Sequence, residues 1–529
     1  VDLSRRLLLR NAGATGLLGM AAACAPSDTA GSGGIANTLI IGQANEPLSL
    51  SSAGSIDGGS SVVAPQIFDR LFAADLKGQS IPRLALSAGL SADGRTANIT
   101  LRPGVKWHDG KPVTSTDVAY SLQHIWKALL PRGQVAFANL TSVDTPSPLE
   151  LVLHFSSPMP YLLAALADGS SQVVPAHLYA GKDILTNPNN LAPVGSGPFI
   201  FETWKRGEYI SLRKNPDYWG APRPSIDRLI FRFVAAGSAS SVAVESGSIH
   251  YTIGVPLSEI PRFKKDDRYF VRTRGPGYSA NFFGFAFNLN KPVLRDRRVR
   301  QAFAYAIDKA FLAKNIWLDS ATVADSPIPP GTEWHAPGLP QYGLDLAKAN
   351  ALLDEAGLLP GADGIRLTLY NDIMPPSALH PRAAQFIKQS LARIGVRLNL
   401  RSEDLPTYLK RAFTTRDWDT LTFSTGSDFD PALGIQRFYT SSSIQRGVPF
   451  TNATHYATPE VDRLFNDAQG EMNVEKRRDL YRRIQLILQT DLPSIPILFP
   501  YTNGIGVRRL DYPLDTRGDD FADATLKPS

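Results

Sequence analysis

Cysteine is almost missing from this chain of 529 residues: Cys24 is the single one. One thiol cannot form an internal disulfide, so packing alone must hold the fold. Methionine (four residues) and histidine (eight) are also scarce, and His108, His124 and His154 lack metal-ligand spacing. That argues against a resident metal without excluding a bound chelate. No apolar run reaches the roughly 18 residues that suggest a membrane span. The sequence contains no Gly-x-Ser-x-Gly elbow, no His-Glu-x-x-His pair, no internal repeat and no low-complexity block. The expectation is a chain that performs no catalysis and carries no cofactor. The formal charge is +6, with acidic and basic residues interspersed. That balance is too mild and too mixed for a nucleic-acid surface.

What is present points to a large, loop-rich protein. The length exceeds the roughly 250–300 residues at which single cores stop growing, so two or more lobes are expected. Forty prolines and 42 glycines are spread along the chain, which predicts many turns. At the N-terminus, Ser4-Arg5-Arg6-Leu7-Leu8-Leu9-Arg10 resembles a twin-arginine motif. The apolar segment from Gly16 to Ala23 is too short to cross a membrane, and Ala21-Ala22-Ala23 offers the small side chains a signal peptidase needs. Residues 1–23 are therefore expected to be an export signal, followed by a flexible tether over 24–34. Cys24, directly after the small residues, is the expected lipidation site. Ordinary cleavage beside an unmodified cysteine is the alternative.

Four ordered segments carry a longer message. In the first, Asp93-Gly94-Arg95 leads into an alternating strand from Ala97 to Arg102 and then Pro103-Gly104-Val105-Lys106-Trp107-His108-Asp109-Gly110. Thr114 with Asp117 three residues on has the pattern of a capping box, and Val118, Leu122, Ile125 and Leu129 follow at helical spacing. In the second, alternating runs at 209–213 and 229–234 flank the turn Asn215-Pro216-Asp217-Tyr218-Trp219-Gly220. Asn215, Pro216 and Gly220 shape that turn, and Tyr218 and Trp219 are expected to anchor it in a core. The third, Pro292 to Lys309, places Val299, Ala302, Phe303, Ala306, Ile307, Ala310 and Phe311 on one apolar stripe. Arg297, Arg298, Arg300 and Lys309 are expected outside it. In the fourth, Arg477 to Phe499 reads as a helix followed by an apolar strand.

Together these segments resemble the bacterial extracellular solute-binding proteins of family 5, receptors that hand peptides, nickel chelates or opines to ATP-driven importers. The resemblance implies an α/β fold of two lobes joined by a hinge, the periplasmic-binding-protein architecture of type II-like form. Lobe I would comprise 35–275 plus a return over 490–516, with an inserted subdomain at about 60–160. Lobe II would be 276–489. It further implies a monomer in the periplasm that closes on a small solute and meets the membrane permease subunits of an ABC importer. A folding helper of the periplasm is the reading from a different class.

The resemblance also nominates cleft residues. Arg382 occupies the position where dipeptide-binding relatives carry an arginine for the peptide carboxylate; the alternative is a solvated surface arginine. The loop Ser424-Thr425-Gly426-Ser427-Asp428-Phe429-Asp430-Pro431 stands where peptide receptors place an aspartate for the ligand's α-ammonium. Without a gap that position falls on Ser427, and with a shift of one residue on Asp428. The departure sets an opine-like amino acid–sugar conjugate beside a short peptide as the expected solute, with a nickel chelate or haem as alternatives. Asp428 and Asp430 read equally as turn residues. Tyr278 and Asn281 precede or open a strand whose edge meets ligand in the family. Trp418 and Trp334 are candidate apolar walls, or else core.

Overall fold

The computed structural model describes residues 37–75, 77–277, 280–512 and 521–527. Two large mixed sheets organise the molecule. The first runs, in spatial order, Tyr269–Arg274, Thr502–Val507, Tyr251–Thr252, Thr38–Gln43, Arg228–Phe233, Tyr209–Lys214 and Phe199–Lys205. Thr38–Gln43 is parallel to both its neighbours, and the outer pairs are antiparallel. The second runs Ala321–Val323, Ser494–Pro500, Asn281–Phe287, Thr420–Gly426, Leu367–Ile373 and Val396–Ser402. A smaller antiparallel sheet, Ala85–Leu90, Thr96–Leu101, Glu150–Phe155 and Leu140–Ser147, shares one apolar core with the first large sheet. Among the described residues no helix is long and apolar enough to cross a membrane.

The first two recognised segments are joints of the first lobe. Asp117 accepts from the Thr114 backbone N–H at 2.9 Å, as the capping box requires, and its other oxygen accepts from Ala176 N at 2.9 Å. Tyr218 is buried, and the Trp219 indole N–H donates to Asp69 at 2.9 Å under the Arg102 guanidinium. His108 ties two segments together. Its Nδ1 accepts from Gly195 N at 3.2 Å, and its Nε2–H donates to Gly197 O at 3.0 Å. A Cβ on Gly195 would stand 1.8 Å from the Ile67 carbonyl oxygen, so only glycine permits this approach.

These bonds hold His108 in its neutral form. Burial is the main cause that pulls its pKa down to about 4, against a partial rise from Gly197. The unfolded imidazole titrates near 6.5. Between those values the unfolded chain binds the extra proton, so stability is lost as the pH falls from about 6.5 toward 4. His108→Gln should flatten that slope, read as denaturant midpoints at pH 7.5 and 4.5. An unchanged slope would show that other groups set the acid sensitivity.

Two expectations are corrected by the second lobe. Ser494–Pro500 was expected in the return to the first lobe, but it pairs with Asn281–Phe287 and Ala321–Val323. Ile495, Ile497, Leu498 and Phe499 are all fully buried; a strand apolar on both faces belongs inside a covered sheet. The chain therefore re-enters the first sheet only at Thr502. On Arg297–Ala306, Val299, Ala302, Phe303 and Ala306 face the core as predicted, yet Arg300 is buried too. Its guanidinium donates to the carbonyls of Leu294, Arg295, Asp491 and Leu492. These include the unsatisfied acceptors at the end of the Val474–Asp491 helix, which outweigh the cost of burying the charge. Lys309 is likewise buried, donating to Ala324 O at 2.9 Å.

Candidate functional site

Residues of both lobes face each other across a cleft. One chamber, of about 430 Å³, is walled by Ser60, Arg70 and Arg132 from the first lobe and by Ser424, Thr425 and Arg437 from the second. A larger one, of about 1050 Å³, lies where the chain crosses between lobes, with Arg274, Asn281, His380 and Tyr501 on its wall. Ser424 lines both chambers. The crossings are short: Arg274 ends a strand of the first sheet and Asn281 begins one of the second, while Tyr501 alone separates Ser494–Pro500 from Thr502–Val507.

Charge is unevenly placed in the smaller chamber. Arg132, on the helix Pro131–Ala136, bridges the lobes: its Nη1 is 3.2 Å from Asp168 and its Nε 3.2 Å from Asp428. Asp428 and then Asp168 push the Arg132 pKa up, against burial. Arg437, on the short helix Gln436–Tyr439, is different. It is 8% exposed, lines the chamber, donates through Nε to Gly434 O at 3.3 Å and lies over the Phe438 ring. Among the described residues it makes no ion pair, and its terminal nitrogens bond no described group. Burial, then the neighbouring Arg132, pulls its pKa down to about 10 against the opposing Asp428 and Asp168 carboxylates, so it stays charged at neutral pH. A buried guanidinium with unfilled donors that faces a cavity suits a carboxylate, which accepts two parallel bonds.

The nominated residues are distributed differently from expectation. Asn281 is exposed on the cleft wall. Asp428 lies at the lobe junction in a left-handed backbone conformation (φ 51°). Ser427 is buried, with both its N–H and its hydroxyl donating to Ala280 O at 2.9 Å. Asp430 caps Pro431–Gly434 through Ala432 N and takes both terminal nitrogens of Arg477 at 2.6 Å. Their side chains are about 4–6% exposed, so Asp430 is a folding element and not a cleft group. Arg382 is exposed and lines neither chamber. Its helix is Leu379–Ala392, entered with Ser377 Oγ accepting from Leu379 N and His380 N. Residues two apart on a helix face nearly opposite ways, and His380 is the one turned to the cleft.

The tryptophans are core. Trp418 is 1% exposed, donates to Ala412 O at 3.2 Å and packs with Tyr408, Phe413 and Leu421. Trp334 sits against Tyr481 and under Arg477, in a cluster built on the last two long helices. Packing demand and ligand demand select the same residue type, so sequence did not separate them. Tyr278 and Cys24 lie outside the described residues. Arg437, Arg132 and Arg70 were missed: each is an ordinary arginine until the fold places it at the chamber. Among the described residues no group of three or more His, Cys, Asp or Glu is positioned to hold a metal ion.

Comparison with known proteins agrees with this architecture. The family model described as "Bacterial extracellular solute-binding proteins, family 5 Middle" matches residues 79–446. Protein XP55 of Streptomyces lividans is 30% identical over 492 residues, covering 89% of this chain and 86% of its own. A putative ABC transporter peptide-binding protein of Brucella ovis is 29% identical over 444 residues, 78% of this chain and 77% of that one. Among solved structures, NikZ from Campylobacter jejuni in complex with Ni(L-His) superposes with a TM-score of 0.81 at 26% identity, covering 92% of this chain and 98% of NikZ. Two sheet-centred lobes, two short crossings, a cleft between them and a family match across most of the length have one common explanation: the chain belongs to the bacterial extracellular solute-binding proteins of family 5.

Proposed function

We propose that this protein captures an anionic, hydroxyl-bearing small solute in the interlobe cleft and delivers it to the membrane permease subunits of an ABC importer. An opine-like amino acid–sugar conjugate fits better than an unmodified peptide. One contrast carries this reading. Asp428, where a peptide's ammonium would be sought, is engaged by Arg132 and has a side chain only 2% exposed. Arg437 meanwhile offers the cleft a buried guanidinium with no direct ion-pair contact among the described residues, Asp428 and Asp168 acting on it only at longer range. Serine and threonine side chains around it supply partners for a polyol. The protein does no chemistry on the solute; it binds, closes and presents it. It works in the periplasm as a monomer, held to the membrane by an acylated Cys24 once residues 1–23 are removed.

The deciding experiment is a thermal-shift screen of sugar–amino acid conjugates, dipeptides, Ni–histidine and haem, followed by calorimetry and small-angle scattering. A ligand of the native state raises the melting point by mass action. A conjugate with a free carboxylate should give the largest shift and reduce the radius of gyration, because a ligand that favours the closed form must bind it better. Dipeptides that bind more tightly than every conjugate would overturn the solute assignment.

A further inference from the structure

We infer that an apolar annex behind the arginine chamber selects a solute carrying a small branched aliphatic side group beside its carboxylate. The inference rests on the anionic-solute reading above and narrows it.

The annex is a cavity of about 50 Å³ in the second lobe, walled by Phe282, Met374, Phe413, Leu421, Phe438 and Phe450 among others. Four of its wall hydroxyls are already committed, and two more, on Ser424 and Thr425, belong to residues shared with the arginine chamber. Tyr439 OH pairs with Ser494 Oγ at 3.1 Å, Thr454 donates to Asn452 at 2.9 Å and Thr451 donates to Val448 O at 2.8 Å. A water needs about two to four polar partners to occupy a cavity, so these walls favour an apolar group. A charged or amide side group would be desolvated there without compensation.

The annex is continuous with the charged site. Ser424, Thr425 and Phe450 line both cavities. The Arg437 guanidinium carbon lies 4.6 Å from the centroid of the Phe438 ring, and that ring forms part of the annex wall. A carboxylate on Arg437 therefore stands within a few bonds of the annex mouth, the separation between the carboxylate and side chain of one amino acid. Phe450, at that mouth, holds φ at 60°. A bulky residue in the left-handed region is strained, and such strain concentrates where ligands are clamped.

The probes are deoxyfructosyl conjugates of glycine, alanine, valine, leucine and glutamate, which differ only in the side group beside a common carboxylate. Calorimetric affinity should rise about fourfold per buried methylene from glycine toward valine or leucine and collapse for glutamate. Ala453→Leu, which fills the annex from its wall, should bring the valine conjugate to the affinity of the glycine conjugate. Phe450→Ala should move the optimum to a larger side group, and circular dichroism of both variants checks folding. A flat series in the wild-type protein, with all five conjugates bound, overturns the annex and leaves the anionic-solute reading standing. Binding of none of them overturns both.

Discussion

Arg437→Met is expected to weaken capture of a carboxylate-bearing conjugate by about 2–5 kcal/mol, the usual cost of truncating one partner of a buried charge pair. The same change should leave the unliganded protein as stable as before, or more so. In the free protein Arg437 is a buried cation with no direct ion-pair contact among the described residues, and Asp428 and Asp168 act on it only at longer range; replacing such a charge by an apolar side chain of similar length removes a desolvation cost. Affinity and stability then move in opposite directions, as expected of a residue kept for binding at the expense of the fold. Calorimetry and thermal unfolding on the same sample decide it. If both fall together, Arg437 is a structural residue and the anion site lies elsewhere.

Arg477→Met should do the reverse, lowering the unfolding free energy by about 3–5 kcal/mol with little direct effect on the cleft chemistry. The substitution leaves the Asp430 carboxylate, 6% exposed, without its two 2.6 Å partners, and a buried ion pair broken on one side is strongly destabilising. Adding Asp430→Asn should recover much of the loss. The amide removes the stranded charge and still accepts from Ala432 N at the start of Pro431–Gly434. Urea unfolding of the single and double variants measures the coupling. A single variant within about 1 kcal/mol of wild type would mean that water reaches Asp430.

The fold was legible because its joints are local. Thr114 and Asp117 are three residues apart, and their bond follows from helix geometry. The strands flanking Asn215 carry an alternating apolar pattern within a few neighbouring residues. The membership followed from several such joints in fixed order. Ser494–Pro500 was recognised as an apolar strand, but which sheet would cover it depends on pairing with Asn281–Phe287, and no local pattern carries that. Arg300 looked solvent-facing because arginines usually are; the four carbonyls that accept its hydrogen bonds all lie outside its own helix.

The cleft was less legible, for a related reason. Its chemistry is made by pairings across the lobes. Asp428 reads as a free acid until Arg132 is set beside it, and Arg437 reads as an ordinary surface arginine until it is found buried at the chamber without a direct ion pair among the described residues. The loop from Ser424 to Pro431 was correctly singled out as special, since it meets the other lobe. Its parts were assigned by analogy, however, and Ser427 and Asp430 turned out to bond the protein itself. Gly434 shows how tightly that loop folds back: a Cβ there would fall 1.7 Å from the Ser427 carbonyl oxygen.

One feature of the crossings bears on how such a receptor changes over time. Tyr501, the lone residue between the two sheets on that strand, is bonded on the second-lobe side, its N–H to Ser320 O and its hydroxyl to Thr322, both at 2.8 Å. This crossing therefore narrows to the Tyr501–Thr502 link, and the other spans from Arg274 to Asn281. For lobes that close as proposed, two such crossings define an axis about which one lobe swings rather than slides. The swing draws on a handful of dihedral angles that neither large core uses. Mutation can accordingly retune what the jaws grip while the pivot and the folding cores stay untouched, a separation that lets one scaffold drift from one nutrient to another by single steps.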